Sequence, residues 1–240
     1  MNMQKITFYF GLAVLSLWSC APTRFVKTLE KGQHAVQGNF GGPLAKVPGI
    51  GVIPIPFTSV GYGYGLTDKT TIFGNLHATS LLFGVGQTDI GVSQNIWKNE
   101  RMGVSIQPEM NILVDFYTGD NRFWPQLDAN YYFDYKSKIR DATYSGKKGS
   151  VVKVNSIYGG ISNWFDPYLT ESQGRKNQQF WIPSVQIGHL WQRNNWNYNL
   201  EFKLLAPIYS NENIVVDYPS LLGNHGAMGI YFGVTYRFKK

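Results

Sequence analysis

The sequence predicts an all-β protein, an antiparallel up-and-down transmembrane β-barrel of ten strands, with eight as the smaller possibility. Three observations lead there. Long segments alternate between apolar and polar residues. Aromatics and glycine are abundant while charge is sparse: 15 Tyr, 15 Phe, 7 Trp and 26 Gly stand against 15% charged residues. No segment beyond residue 20 has the unbroken apolar length, about 20 residues, that a spanning helix needs, although the chain opens with an export signal. A barrel reconciles these features, because its strands cross a bilayer in about 9–11 residues and alternate lipid-facing with lumen-facing positions.

The alternation is clearest in four segments. Between Val104 and Phe116 every even position is apolar or proline, and the odd positions read Ser105, Gln107, Glu109, Asn111, Leu113, Asp115. Phe123, Pro125, Leu127, Ala129, Tyr131, Phe133 and Tyr135 share one face, with Trp124, Gln126, Asp128, Asn130, Tyr132 and Asp134 on the other. Trp196 to Ile208 gives a third apolar face, backed by Asn197, Asn199, Glu201 and Lys203. The last strand turns Met228, Ile230, Phe232, Val234, Tyr236 and Phe238 outward and Tyr231, Gly233, Thr235 and Arg237 inward. The full set of expected strands is 33–41, 54–66, 70–80, 87–97, 101–116, 122–136, 150–165, 178–192, 195–209 and 226–238. The clearest runs exceed the roughly 5–6 residues usual in soluble sheets. Their apolar faces end in aromatics (Phe116, Phe123, Tyr135, Trp196, Phe238), the pattern of an interfacial girdle. A soluble lipocalin-like barrel is the alternative, and it would place the apolar faces inside.

Short links, Thr67-Asp68-Lys69, Lys98-Asn99-Glu100 and Arg193-Asn194, fall on one side, with both chain ends. Short turns are periplasmic in such barrels, which puts the ends there too. The link 136–150 is long for that side. It carries Lys136, Lys138, Arg140, Lys147 and Lys148 against Asp141, a composition suited either to anionic headgroups or to a solvated turn. The loops 42–53, 166–177 and 210–225 fall on the opposite side and form the expected contact surface for an external ligand.

At the N-terminus, Lys5 precedes an apolar run from Ile6 to Trp18, too short to span and suited to a secretory signal. Leu17-Trp18-Ser19-Cys20 resembles a bacterial lipobox of the looser Bacteroidetes type; Trp18 departs from the usual small or aliphatic residue. The resemblance implies a signal peptide over 1–19, thioether-linked diacylglyceryl on Cys20, and acylation of the new amine. That covalent lipid is the only cofactor expected. Cys20 is the sole cysteine, so no disulfide within the chain is possible. Ala21 and Pro22 lack the acidic residues of inner-membrane retention or surface-export signals, which implies an outer-membrane address in the periplasmic leaflet. Residues 20–32 read as a lipidated tether, and 33–240 as the barrel. The stretch Lys31-Gly32-Gln33-His34 through Asn39-Phe40-Gly41-Gly42-Pro43-Leu44 also resembles the opening of a set of Bacteroidetes outer-membrane barrels. That family carries no assigned activity.

Chemistry is harder to find. The four histidines, His34, His77, His189 and His225, show no metal-ligand spacing, and there is no Gly-x-Ser-x-Gly elbow or phosphate loop. Three barrel enzymes offer comparisons. Asp115, Asp120 and His225 sit near the rim where omptin proteases carry their pairs, but no omptin motif accompanies them. His189 is expected to face lipid, as in lipid A deacylases, but without a His-x-Ser pattern. The tether does not clearly supply the amphipathic helix of palmitoyltransferase barrels. The inward polar set is His77, Asp89, Glu109, Asp115, Asp128, Asp134, Lys153, Glu201, Lys203 and Arg237. A barrel of eight strands has an interior that side chains just fill, and ten lies near that end. These charges are therefore expected to pair, because an unpaired buried charge is costly. The expected role is structural or recognitional at the cell envelope. The alternatives are a narrow channel or small-solute or lipid-binding barrel, and a rim enzyme acting on lipid A or peptides. Outer-membrane lipid is the expected partner, nucleic acid is not, and the chain is expected to be a monomer.

Overall fold

The computed structural model describes residues 25–144, 147–168, 179–212 and 216–238. The signal peptide and Cys20 lie outside the described residues. The strands are β1 (His34–Val47), β2 (Gly51–Pro54), β3 (Phe57–Thr67), β4 (Thr70–His77), β5 (Val85–Lys98), β6 (Met102–Asp115), β7 (Asn121–Tyr144), β8 (Lys147–Phe165), β9 (Trp181–Arg193), β10 (Trp196–Ser210) and β11 (His225–Arg237), with one short helix, α1 (Ala78–Leu82). Neighbours pair antiparallel in chain order, and β1 pairs with both β3 and β11. The register runs from Ala35 opposite Arg237 to Pro43 opposite Gly229, which closes the sheet. Closure leaves none of the ten wall strands at a sheet edge. The result is a closed antiparallel barrel of ten strands, with β2 as a side hairpin on the far end of β1.

The two faces separate as the alternation requires. Inward positions of β5 and β6 are Gln87, Asp89, Ser93, Asn95, Ser105, Gln107, Glu109 and Asn111, all buried. Outward positions of the barrel carry Val60, Ile72, Ile90, Ile161, Val185, Ile187 and Phe232, all exposed, with Ile187 at 65%. The five girdle aromatics named above are exposed as well. On β3, Gly61-Tyr62-Gly63-Tyr64-Gly65 turns its glycines inward and keeps its tyrosines outward, so this wall of the lumen has no side chains of its own.

We call the mouth shared by both ends of the described chain the near mouth. The links there are tight: Asp68-Lys69, 99–101 and Asn194-Asn195. Asn194 takes φ 52°, a left-handed conformation that asparagine tolerates, and its side chain accepts from the Val152 amide at 3.0 Å.

Four segments differ from expectation. The strand expected over 70–80 ends at His77. Ala78–Leu82 then forms a helical turn that closes on Gly84, whose φ of +74° suits glycine. β1 runs six residues past 41, folding back on β2 through pairs from Leu44–Pro54 to Val47–Gly51, so much of the loop expected over 42–53 is hairpin. The link 136–150 is not a loop: β7 and β8 stay in register from Lys136–Asn155 to Tyr144–Lys147. Its charges suggested a loop, but a ladder extending past the barrel wall needs only backbone partners and sets no demand on side-chain polarity. The fourth difference concerns the N-terminal segment. Residues from Phe25 onward are not a free tether; they enter the near mouth.

Candidate functional site

Three layers of groups project into the lumen. At the near mouth the N-terminal segment acts as a plug. Phe25 lies against Phe73, with ring centroids 5.9 Å apart, and its carbonyl accepts from Ser93 Oγ at 2.7 Å and Gln107 Nε2 at 2.9 Å. Val26 packs among Tyr132, Tyr158 and Leu190. The Leu29 amide donates to Thr71 Oγ1 at 2.8 Å, and the Lys31 amide to Asp68 Oδ1 at 2.9 Å. Lys27 forms an ion pair with Asp134, which also accepts from Ser156 Oγ at 2.6 Å. Burial lowers the Lys27 ammonium pKa below its ordinary value, and the Asp134 carboxylate partly offsets this. The bare glycine wall of β3 makes room for the plug. A Cβ on Gly63 would meet the Phe25 ring at 2.5 Å, and one on Gly65 would meet the Glu30 carbonyl at 2.0 Å.

The middle layer is polar. Glu201, wholly buried, accepts from Tyr158 Oη at 2.9 Å and lies 3.4 Å from Lys203 Nζ. Lys203 also stands 5.7 Å from the centre of the Tyr231 ring. Asp128 feels the charge of both Lys203 and Glu201 and accepts from Gln126 Nε2 at 2.9 Å. Gln126 reaches Ser162 at 3.2 Å and accepts from Asn111 at 3.1 Å. Across the barrel, Asp89 accepts from Asn75 Nδ2 at 2.5 Å and pairs with His77 Nε2 at 2.8 Å. Glu109 is buried beside Gly91, where a Cβ would meet its Cγ at 2.8 Å.

The far layer is aromatic. Trp124 and Trp164 are buried with centroids 5.7 Å apart, over Val85 and Leu113. Tyr168 meets Trp124 edge-on at 6.0 Å, and its hydroxyl accepts from the Phe123 amide at 2.7 Å. Beside them, residues 216–224 fold over the mouth. The Lys46 amide donates to the Asp217 carbonyl at 2.8 Å and the Met228 amide to Pro219 at 2.9 Å, and Tyr218 is buried. The described parts of the loops 166–177 and 210–225 thus include lid as well as exposed surface.

Of the ten residues expected inward, His77, Asp89, Glu109, Asp128, Glu201 and Lys203 line the lumen in one polar layer. Asp134 sits lower on β7, where it pairs with Lys27 of the plug. Arg237 lies at the near mouth, where Nη2 donates to the Asn194 carbonyl at 2.6 Å. Asp115, the last residue of β6, stands at the far rim as expected, and its Oδ1 accepts from the amides of Tyr117 at 2.8 Å and Thr118 at 3.2 Å rather than joining the polar layer. One position needs correction: Lys153 faces outward. The buried positions of β8 are Val154, Ser156, Tyr158, Ser162 and Trp164, so the parity of this strand is even. Val151-Val152-Lys153-Val154 hides that parity, because apolar residues flank the lysine on both sides.

His189 also faces outward, with Nε2 2.7 Å from Tyr135 Oη. His34 pairs with Tyr62, and His225 is exposed at the start of β11. Sequence reasoning missed Phe25, Lys27, Tyr158 and Ser156 as lumen partners. The signal that could have found the plug was the glycine run on β3. Among the described residues no group of three or more His, Cys, Asp or Glu is placed to hold a metal ion.

The architecture has counterparts. No protein-family model and no curated protein sequence matches the chain. Among solved structures it is similar to the KdgM porin, with 10% identity, 85% of this chain and 99% of that chain covered, and a TM-score of 0.39. It is similar to the NanC porin at 11% identity, covering 86% and 100%, TM-score 0.35. The attachment invasion locus protein Ail of Yersinia pestis follows at 11% identity, covering 87% and 99%, TM-score 0.27. All three are bacterial outer-membrane β-barrels. At these scores the comparison ends with the class of architecture, and this chain's residues must be read on their own.

Proposed function

We propose that this chain is an outer-membrane β-barrel lipoprotein with a plugged, side-chain-packed lumen and a structural or recognition role at the cell envelope. The observation that carries the reading is the inversion of the barrel. Its outer wall is a continuous apolar belt ending in aromatics, while its interior holds carboxylates, amides and a lysine. A barrel in water would reverse these faces. The near mouth, with its tight turns and both chain ends, is the periplasmic end, and the lid of residues 216–224 faces outward. A lumen held by hydrogen bonds from wall to plug serves rigidity rather than passage, and leaves the far loops as the recognition surface. The lipid on Cys20 then acts as an address and as a tie for the N-terminal segment, since a spanning barrel needs no further anchor.

Two measurements test this. Ile187→Arg places a cation on the exposed mid-wall. In a bilayer it lowers unfolding stability in lipid vesicles by about 2–4 kcal/mol, whereas in a water-exposed wall it changes stability by less than about 0.5 kcal/mol. Labelled palmitate added to expressing cells is incorporated into the wild-type chain and lost in Cys20→Ala. Retention of label in that variant contradicts the lipid assignment.

A further inference from the structure

We infer that the outward face of β7, β8 and β9 at the near mouth binds the phosphate of an anionic phospholipid in the periplasmic leaflet, an inference that rests on the membrane orientation given above. The register sets Lys138 opposite Lys153 and Lys153 opposite Arg193, three bases in one row across three strands. The adjacent row is Lys136, Asn155 and Trp191. Like charges directly opposite one another destabilise a sheet. Among the described side chains no carboxylate lies within ion-pair distance of Lys136, Lys138 or Lys153. The turn at Asp68-Lys69 holds one acid per base, whereas the stretch 136–148 sets Lys136, Lys138, Arg140, Lys147 and Lys148 against Asp141 alone. The basic row therefore sits in a stretch with an excess of positive charge that the Asp68-Lys69 turn does not share.

The rest of the patch fits a headgroup. Arg193 donates to the Gln192 carbonyl at 2.8 Å, the Val154 carbonyl at 3.2 Å and Asn155 Oδ1 at 2.7 Å. These bonds pin the guanidinium to the wall beside the lysines. One step toward the apolar belt, Tyr135 Oη bonds His189 Nε2, and the His189 and Trp191 rings lie 4.1 Å apart. Amphipathic rings of this kind mark the depth of headgroups. A phosphate lying below them meets three bases at once, which removes the repulsion between them. Each lysine near an anionic surface contributes about fivefold in affinity.

The test uses the full barrel, extracted from vesicles of equal phosphatidylglycerol and phosphatidylcholine and read by native mass spectrometry. The wild-type barrel is expected to retain phosphatidylglycerol in preference to phosphatidylcholine. Lys136→Gln, Lys138→Gln and Lys153→Gln combined lower that preference at least 25-fold. Lys31→Gln, Lys69→Gln and Lys98→Gln combined, also at the near mouth, leave it within about twofold. Heat-modifiable migration on a gel, run in parallel, reports the folded barrel. A folded wild-type barrel without lipid preference, or equal loss in both triple variants, overturns the site while the membrane reading stands. A chain that never shows the heat-modifiable form overturns the membrane reading and the site with it.

Discussion

Lys203→Met is expected to destabilise the barrel by about 3–5 kcal/mol. Lys203 is 4% exposed and faces Glu201, which is wholly buried, with Asp128 in electrostatic reach. Methionine keeps an unbranched stem out to the ε position and removes the ammonium, so two buried carboxyls lose a compensating cation. The cost is that of stranding those acids, not of losing one ion pair. Adding Glu201→Gln should therefore recover a large part of it, because the amide still accepts from Tyr158 and carries no charge. Denaturant unfolding in lipid vesicles, followed by tryptophan fluorescence, checks both variants. Equal stability of Lys203→Met and wild type would mean that the middle layer is solvated, with water screening its charges. A double variant less stable than Lys203→Met would mean that the carboxylate is not the stranded group.

Gly63→Val is expected to expel Phe25 from the near mouth. The added Cβ meets the Phe25 ring at 2.5 Å, and Phe73, the partner of Gly63 on β4, crowds the same ring with centroids 5.9 Å apart. The loss approaches that of deleting the ring itself, about 3–5 kcal/mol for a buried phenylalanine. The two changes act on one contact, so they are strongly non-additive. Phe25→Ala combined with Gly63→Val should be no less stable than the worse single variant, to within about 0.5 kcal/mol. Additive losses would show that the strand is hurt for reasons of its own and that the plug does not occupy the glycine channel.

Much of the fold was legible in the sequence because one physical rule governs it. Each residue of a barrel strand faces either lumen or exterior, so period-two alternation gave the ten strands and most of their parity. The failures occurred where that rule loses its hold. Beyond the wall, β7 and β8 continue as a ladder with no apolar face to announce it. Lys153 follows two valines and precedes a third, so alternation there cannot say which neighbour is buried. His77 ends its strand because a helical turn follows, a choice made by local backbone geometry at Gly84 and not by hydrophobic pattern. The polar layer was largely predicted as a set of residues, His77, Asp89, Glu109, Asp128, Glu201 and Lys203, but not as a set of partnerships. Those depend on which strands face each other across the lumen, and nothing in a linear pattern encodes that distance. The plug was missed for a related reason. Phe25, Val26 and Leu29 are too few to show a period, and only the matching bare wall of β3 gives them a place.

The claim that joins these points is that the lumen is a packed core and not a path. Planar-bilayer recording of the full barrel tests it most directly. The packed lumen predicts no conductance above the lipid background for the wild-type protein. Stepwise single-channel currents from the wild-type barrel would contradict it.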